Sequence, residues 1–201
     1  MSFSMKIARA LVPAAMVAVA SPSTAAESTD MAKLRAHISS VQTMTADFTQ
    51  IDAKGRSSTG KMQLKRPGRV RFQYGSGDLL LVADGRNLYV LDYQVGQKSS
   101  LPLNRTPLGV LLSGSPDLKG RAQIMPGSDS RIVTVRARDP AQYGSVTLVF
   151  MRNSSAPGGL ALYGWTALDG QNRRTTVRLS DVRYNVAVPE SAFTFREPKK
   201  G

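Results

Sequence analysis

The 201-residue chain has no cysteine, a single histidine and a single tryptophan, and 14 acidic against 27 basic side chains. Each shortage excludes something. Without cysteine there is no disulfide, no thiolate metal site, no thiol nucleophile and no lipid-modified N-terminal cysteine, so stability rests on a packed core, which a chain of this length can bury. One histidine cannot form the ligand cluster that zinc requires. That residue, His37, falls on the first predicted helix, where a surface position is expected. No G-x-x-x-x-G-K-[ST] loop and no G-x-S-x-G elbow occurs, so neither P-loop chemistry nor the common serine hydrolase arrangement is indicated. Asp84-Gly85 and Asp169-Gly170 read as hairpin turns rather than acidic chemistry. The expectation is a protein that is not an enzyme and takes no cofactor or metal.

Long apolar runs are also missing, apart from one near the N-terminus. Lys6 and Arg9 precede an apolar run, Ala10 to Ala20, followed by the small residues Ser21 to Ala26. The run is about half the roughly 20 residues a membrane span needs. Thr24-Ala25-Ala26 fits the small-x-small cleavage rule, so residues 1–26 read as a cleavable signal peptide and 27–201 as one domain. Cleavage after Ala25 is the close alternative, and Met5 is an alternative start. The formal charge is +13, and +11 once Lys6 and Arg9 are removed. For an exported chain this favours anionic lipid headgroups or an acidic protein as partners, not nucleic acid, against the plain alternative of a solvated basic surface.

The remaining sequence alternates at period two through most of its length. Thr29 and Asp30 can cap a helix over Met31 to Val41, with Leu34, Ile38 and Val41 at helical spacing. Met44, Ala46 and Phe48 then mark a strand. In Gln63 to Tyr74 (QLKRPGRVRFQY), Pro67-Gly68 separates two strands, placing Met62, Leu64, Val70, Phe72 and Tyr74 on one face. Leu79 and Leu81, or else Leu80 and Val82, join that face; the spacing leaves the parity open. Leu88 and Val90 are further candidates. Thr106-Pro107 opens a short helix, with threonine as N-cap and proline at the first helical position. Its residues Leu108, Val110, Leu111 and Leu112 make it apolar around most of its circumference. Further strands follow to Tyr184, and Phe193 and Phe195 close the chain. The fold class expected is mainly β with α: one curled antiparallel sheet of about ten to eleven strands covered by two or three helices. Whether the covered face is a filled core or a cavity is not set by periodicity.

The order of Leu64-Lys-Arg-Pro-Gly68, Phe72, Leu80 to Ala83, Asp84-Gly85 and Thr106-Pro107 resembles the family of periplasmic outer-membrane lipoprotein carriers, LolA. The entry Ser40 to Gln50 is similar to that family's N-terminal signature, and Phe193-Thr194-Phe195 with Pro198 to its ending. The resemblance implies an incomplete β-barrel with a helical lid over a cavity for lipoprotein acyl chains. It implies an inner-membrane ABC transporter as donor, a LolB-like outer-membrane receptor and a monomeric carrier. Arg66 corresponds to the arginine that holds the lid closed, and Pro107 to Leu112 to the lid helix. The family's best-known members have an aromatic residue where Val70 stands and tryptophan where Phe72 stands. LolB and the regulator RseB share the fold; the missing lipidated cysteine argues against the first and the short chain against the second. A lipid-sensing envelope module and an envelope hydrolase are the alternative readings.

Overall fold

The computed structural model describes residues 28–106, 109, 112, 118, 120, 122–138 and 144–199. The expected leader at 1–26 lies outside them. Helix α1 (Thr29–Ser40) begins two residues before the expected Met31: Ser28 is the N-cap, and the Met31 amide donates to its Oγ at 3.3 Å. Asp30 instead receives two hydrogen bonds from the Arg152 guanidinium, at 2.6 and 2.9 Å. This fork ties the first turn of α1 to the sheet.

Eleven strands form one antiparallel sheet. The first six, β1 (Thr43–Ile51), β2 (Ser57–Lys65), β3 (Arg69–Tyr74), β4 (Leu79–Asp84), β5 (Asn87–Asp92) and β6 (Gln97–Pro102), make a meander. The last five, β7 (Ala122–Met125), β8 (Ile132–Arg138), β9 (Ser145–Arg152), β10 (Leu160–Leu168) and β11 (Arg174–Tyr184), make a second. The spatial order is β6-β5-β4-β3-β2-β1-β11-β10-β9-β8-β7, so the halves join where β1 pairs with β11. The sheet does not close: β6 and β7 are its edges.

Alternation along the strands builds the inner face. Met44, Ala46 and Phe48 of β1 are buried, as are Met62 and Leu64 of β2 and Val70, Phe72 and Tyr74 of β3. Their register places Met62 opposite both Ala46 and Phe72. Gly60 is required beneath the Phe48 ring, because a Cβ there would lie 2.7 Å from the ring and 2.2 Å from the Gln73 carbonyl oxygen. In the other half Val133, Val135, Val146, Leu148, Phe150 and Leu160 meet Leu34 and Ile38 of α1. Burying two such aliphatic side chains contributes about 1.5–3 kcal/mol each, enough to hold a helix whose own amphipathic stripe is narrow.

The outer face differs between the halves. Over β3 to β5 it is sealed by the C-terminal segment, where Val188 and Phe193 pack with Leu80, Val82 and Leu91. Arg71 donates to the Ala192 and Thr194 carbonyls at 3.2 Å, and Tyr93 to the Arg196 carbonyl at 2.9 Å. Glu190 bridges Lys65 and Arg69. β4 is therefore apolar on both faces: Leu80 and Val82 point outward beneath this strap, and Leu81 points inward.

Candidate functional site

Between the inner face and its covers lies a hollow of about 340 Å³, within the range of ligand-binding pockets. Its wall is apolar and comes from both halves of the sheet: Met44, Met62, Leu64, Phe72 and Leu81 from one, Val146, Leu148, Phe150, Leu162 and Trp165 from the other. Phe72 meets Phe48 and Trp165 edge-on, with centroids 5.5 and 5.8 Å apart, so the aromatic floor crosses the β1–β11 seam. Leu34, His37 and Ile38 form one side of the roof, and Thr106 and Leu112 contribute on the other.

Of the residues expected to line a cavity, the structure places Met62, Leu64, Phe72, Tyr74 and Leu81 around the hollow, with Arg66 and Leu112. Val70, Leu79, Leu88 and Val90 do not line it. Val70 is wholly buried within the wall, and Leu79 and Leu88 pack partly exposed against the same cluster. Val90 is half-buried opposite Leu81, on the strand next to the sheet edge. Leu79, Leu88 and Val90 belong to the β4–β5 wing, away from the β1–β11 seam on which the hollow centres, and of that wing's described residues Leu81 alone reaches it. Conversely, α1, β9 and β10 supply much of the lining without having been singled out. Their alternation at Val146-Leu148-Phe150 was visible, but nothing local tells a strand which wall it joins.

The expected helix at 107–112 is described at two positions. Gly109 and Leu112 are helical, and the Gly109 amide donates to Thr106 Oγ1 at 3.0 Å, so threonine does cap the segment. Leu112 is 2% exposed within the apolar cluster of β1 to β3, and its carbonyl accepts from the Gly68 amide at 2.8 Å. Pro107, Leu108, Val110 and Leu111 lie outside the described residues.

Arg66 sits at the turn between β2 and β3, its peptide bond to Pro67 cis and its amide donating to the Gln42 carbonyl at 2.8 Å. Partial burial lowers its guanidinium pKa to about 10, well below that of a solvated arginine. His37 corrects the surface expectation. It is 5% exposed, hydrogen-bonded through Nδ1 to the Pro157 carbonyl at 2.9 Å, and held edge-on between the Phe150 and Tyr184 rings. Burial pushes its pKa below the usual histidine value; the Pro157 and Leu160 carbonyls oppose this, and the Arg66 charge adds to it. Gly158 lets this turn approach α1: its φ is +64°, and a Cβ there would lie 2.4 Å from the His37 backbone nitrogen. At the far end of the hollow the Tyr74 hydroxyl donates to Gln50 Oε1 at 2.8 Å. Among the described residues no group of three or more His, Cys, Asp or Glu side chains could hold a metal ion, and no helix is long and apolar enough to cross a membrane.

An open sheet curled round an apolar hollow, roofed by helical segments, defines a container for hydrophobic matter. Residues 39–196 match the family model described as outer membrane lipoprotein carrier protein LolA, and the chain belongs to that family. Two relatives named outer-membrane lipoprotein carrier protein are similar over most of their length. One, from Pseudomonas putida, is 30% identical over 85% of this chain and 83% of its own. The other, from Ralstonia nicotianae, is 29% identical over 96% of this chain and 94% of its own. Among solved structures, a LolA superfamily protein from Nitrosomonas europaea aligns with a TM-score of 0.41 at 12% identity, covering 83% of this chain and 96% of that one.

Proposed function

We propose that the protein is a periplasmic carrier. It takes up the acyl chains of lipoproteins released by an inner-membrane ABC transporter and gives them up at the outer membrane, to a LolB-like receptor where one is present. It works as a monomer, without cofactor or catalysis. The observation that carries this reading is the apolar hollow lined by α1 on one side and by Thr106 and Leu112 on the other. Its supports are family membership and the signal-like N-terminus.

The physical problem for such a carrier is release. Burying a methylene is worth roughly 0.8 kcal/mol, so a long acyl chain gains on the order of 10 kcal/mol. A hollow that was wet when empty would hold its cargo indefinitely. Leu112 satisfies part of the lining in the empty form and is displaced on loading. Arg66, half-buried at the rim, favours the closed form by about 1.5–3 kcal/mol through charged hydrogen bonds to the lid. Because no nucleotide motif is present, direction comes from the partners.

The test is extraction. Membranes bearing a triacylated lipoprotein are incubated with the protein and the reconstituted transporter, and the soluble fraction is sized. A soluble one-to-one complex containing the acylated form, but not a version lacking its chains, is expected. Lipoprotein that stays with the membrane, with no competition by a fluorescent fatty acyl reporter, refutes the reading.

A further inference from the structure

The sheet's two outer faces are treated differently, and the open one has a consistent chemistry. The strap from Val188 to Phe195 seals the outside of β3 to β5. Nothing among the described residues covers the outside of β8 to β11. Strands β7 to β10 contain no carboxylate at all, and β11 contains only Asp181. Asp181 sits at the irregular end of β11, in a polar depression it shares with Lys61 and Asp47. The outward positions instead carry Arg136, Arg174 and Arg178 among threonines. Three large apolar side chains stand out beside them: Ile132 and Met151, opposite each other in the ladder and 38% and 41% exposed, and Tyr163, 40% exposed. The Arg178 guanidinium lies 5.5 Å from the centre of the Tyr163 ring, presenting a cation on an amphipathic aromatic.

We infer that the outer face of β8 to β11 is a docking surface for an anionic phospholipid bilayer. The charge complementarity is one-sided. Its arginines and apolar side chains are spread over four strands, whereas protein interfaces concentrate their binding energy in a few central anchor pockets. A headgroup layer needs no pocket. It rewards spread positive charge, roughly fivefold in partitioning per arginine near the surface, and accepts isolated aliphatic and tyrosine side chains at the interfacial boundary. The hollow opens on the opposite side of the sheet, so docking leaves it unobstructed. The surface is independent of what the hollow carries.

Co-sedimentation of the purified protein with vesicles tests this. Vesicles of phosphatidylethanolamine and phosphatidylglycerol are compared with neutral phosphatidylcholine vesicles. Binding only to the anionic vesicles, weakening with added salt, is expected. Arg174→Gln with Arg178→Gln should weaken it about twenty-five-fold, and Tyr163→Ser should weaken it further. Arg86→Gln with Arg196→Gln, which removes the same charge beside the strap, should change it little. Equal loss from both double variants would mean undirected net charge and overturn the site. So would absence of binding to anionic vesicles, or capture by an acidic polypeptide instead of vesicles. Loading of a fluorescent acyl reporter is measured in parallel. Loss of vesicle binding with normal loading concerns this face alone, and failure of loading concerns the hollow alone.

Discussion

Replacing Arg66 by leucine separates what a buried cation costs from what it does. Partial burial lowers its pKa by two to three units from the usual arginine range, to about 10. At about 1.4 kcal/mol per unit, this corresponds to a desolvation cost on the order of 3 kcal/mol for the charged form. The sign follows: at neutral pH the arginine is charged both folded and unfolded, so the cost is present in full and is relieved only above about pH 10. Leucine carries no such cost and fits an apolar rim, so Arg66→Leu should melt no lower than the parent protein. Its functional effect should be large. Losing charged hydrogen bonds worth about 1.5–3 kcal/mol to the closed form shifts the balance toward the loaded form by roughly tenfold to a hundredfold. The assay is two-stage: lipoprotein extraction into a soluble complex, then transfer to receptor-bearing membranes. Extraction should be kept or improved and transfer should fall. A variant that melts well and transfers at the parental rate would refute the gate. A variant that melts several degrees lower would refute the desolvation argument.

Four further outcomes follow from the geometry. Because burial lowers the pKa of His37, the unfolded chain takes up its proton first as pH falls through about 6.5, and stability declines there; His37→Gln should flatten the melting temperature between neutral and mildly acidic pH, and an unchanged slope would contradict its burial. Leu34→Ala removes a fully buried side chain between α1 and the β8–β10 wall and should cost about 2–5 kcal/mol in denaturant unfolding. Gly158→Ala forces a side chain onto a left-handed backbone and against the α1 amide at His37, and should destabilise more than a surface substitution, beyond about 1 kcal/mol by the same measurement. Leu111→Asp should impair loading of the acyl reporter; parental loading would remove that segment from the lid.

Much of the fold was legible because the strands obey period two. Met44-Ala46-Phe48 and Val70-Phe72-Tyr74 announce both their element and their buried face, and Pro67-Gly68 and Asp84-Gly85 announce the turns. Leu79 to Ala83 was legible as a strand but not in its orientation. Its apolar residues face both ways because Val188 and Phe193, more than a hundred positions later, cover the outside. The strap itself has no periodicity to read. His37 misled for a similar reason: a histidine on a short amphipathic helix is ordinarily exposed, and only the turn at Pro157 to Gly159, brought in by β10, buries it. In the site, the β1–β4 half of the lining could be anticipated from alternation. The half from α1, β9 and β10 depends on which strands the sheet places across the hollow, a long-range property.

The adjacency of β1 and β11 at the middle of the sheet has a consequence for biogenesis. The first strand cannot acquire its second neighbour until the last one exists. A chain synthesised from its N-terminus therefore remains two unjoined ribbons until β11 is complete, and contacts this distant in sequence form slowly.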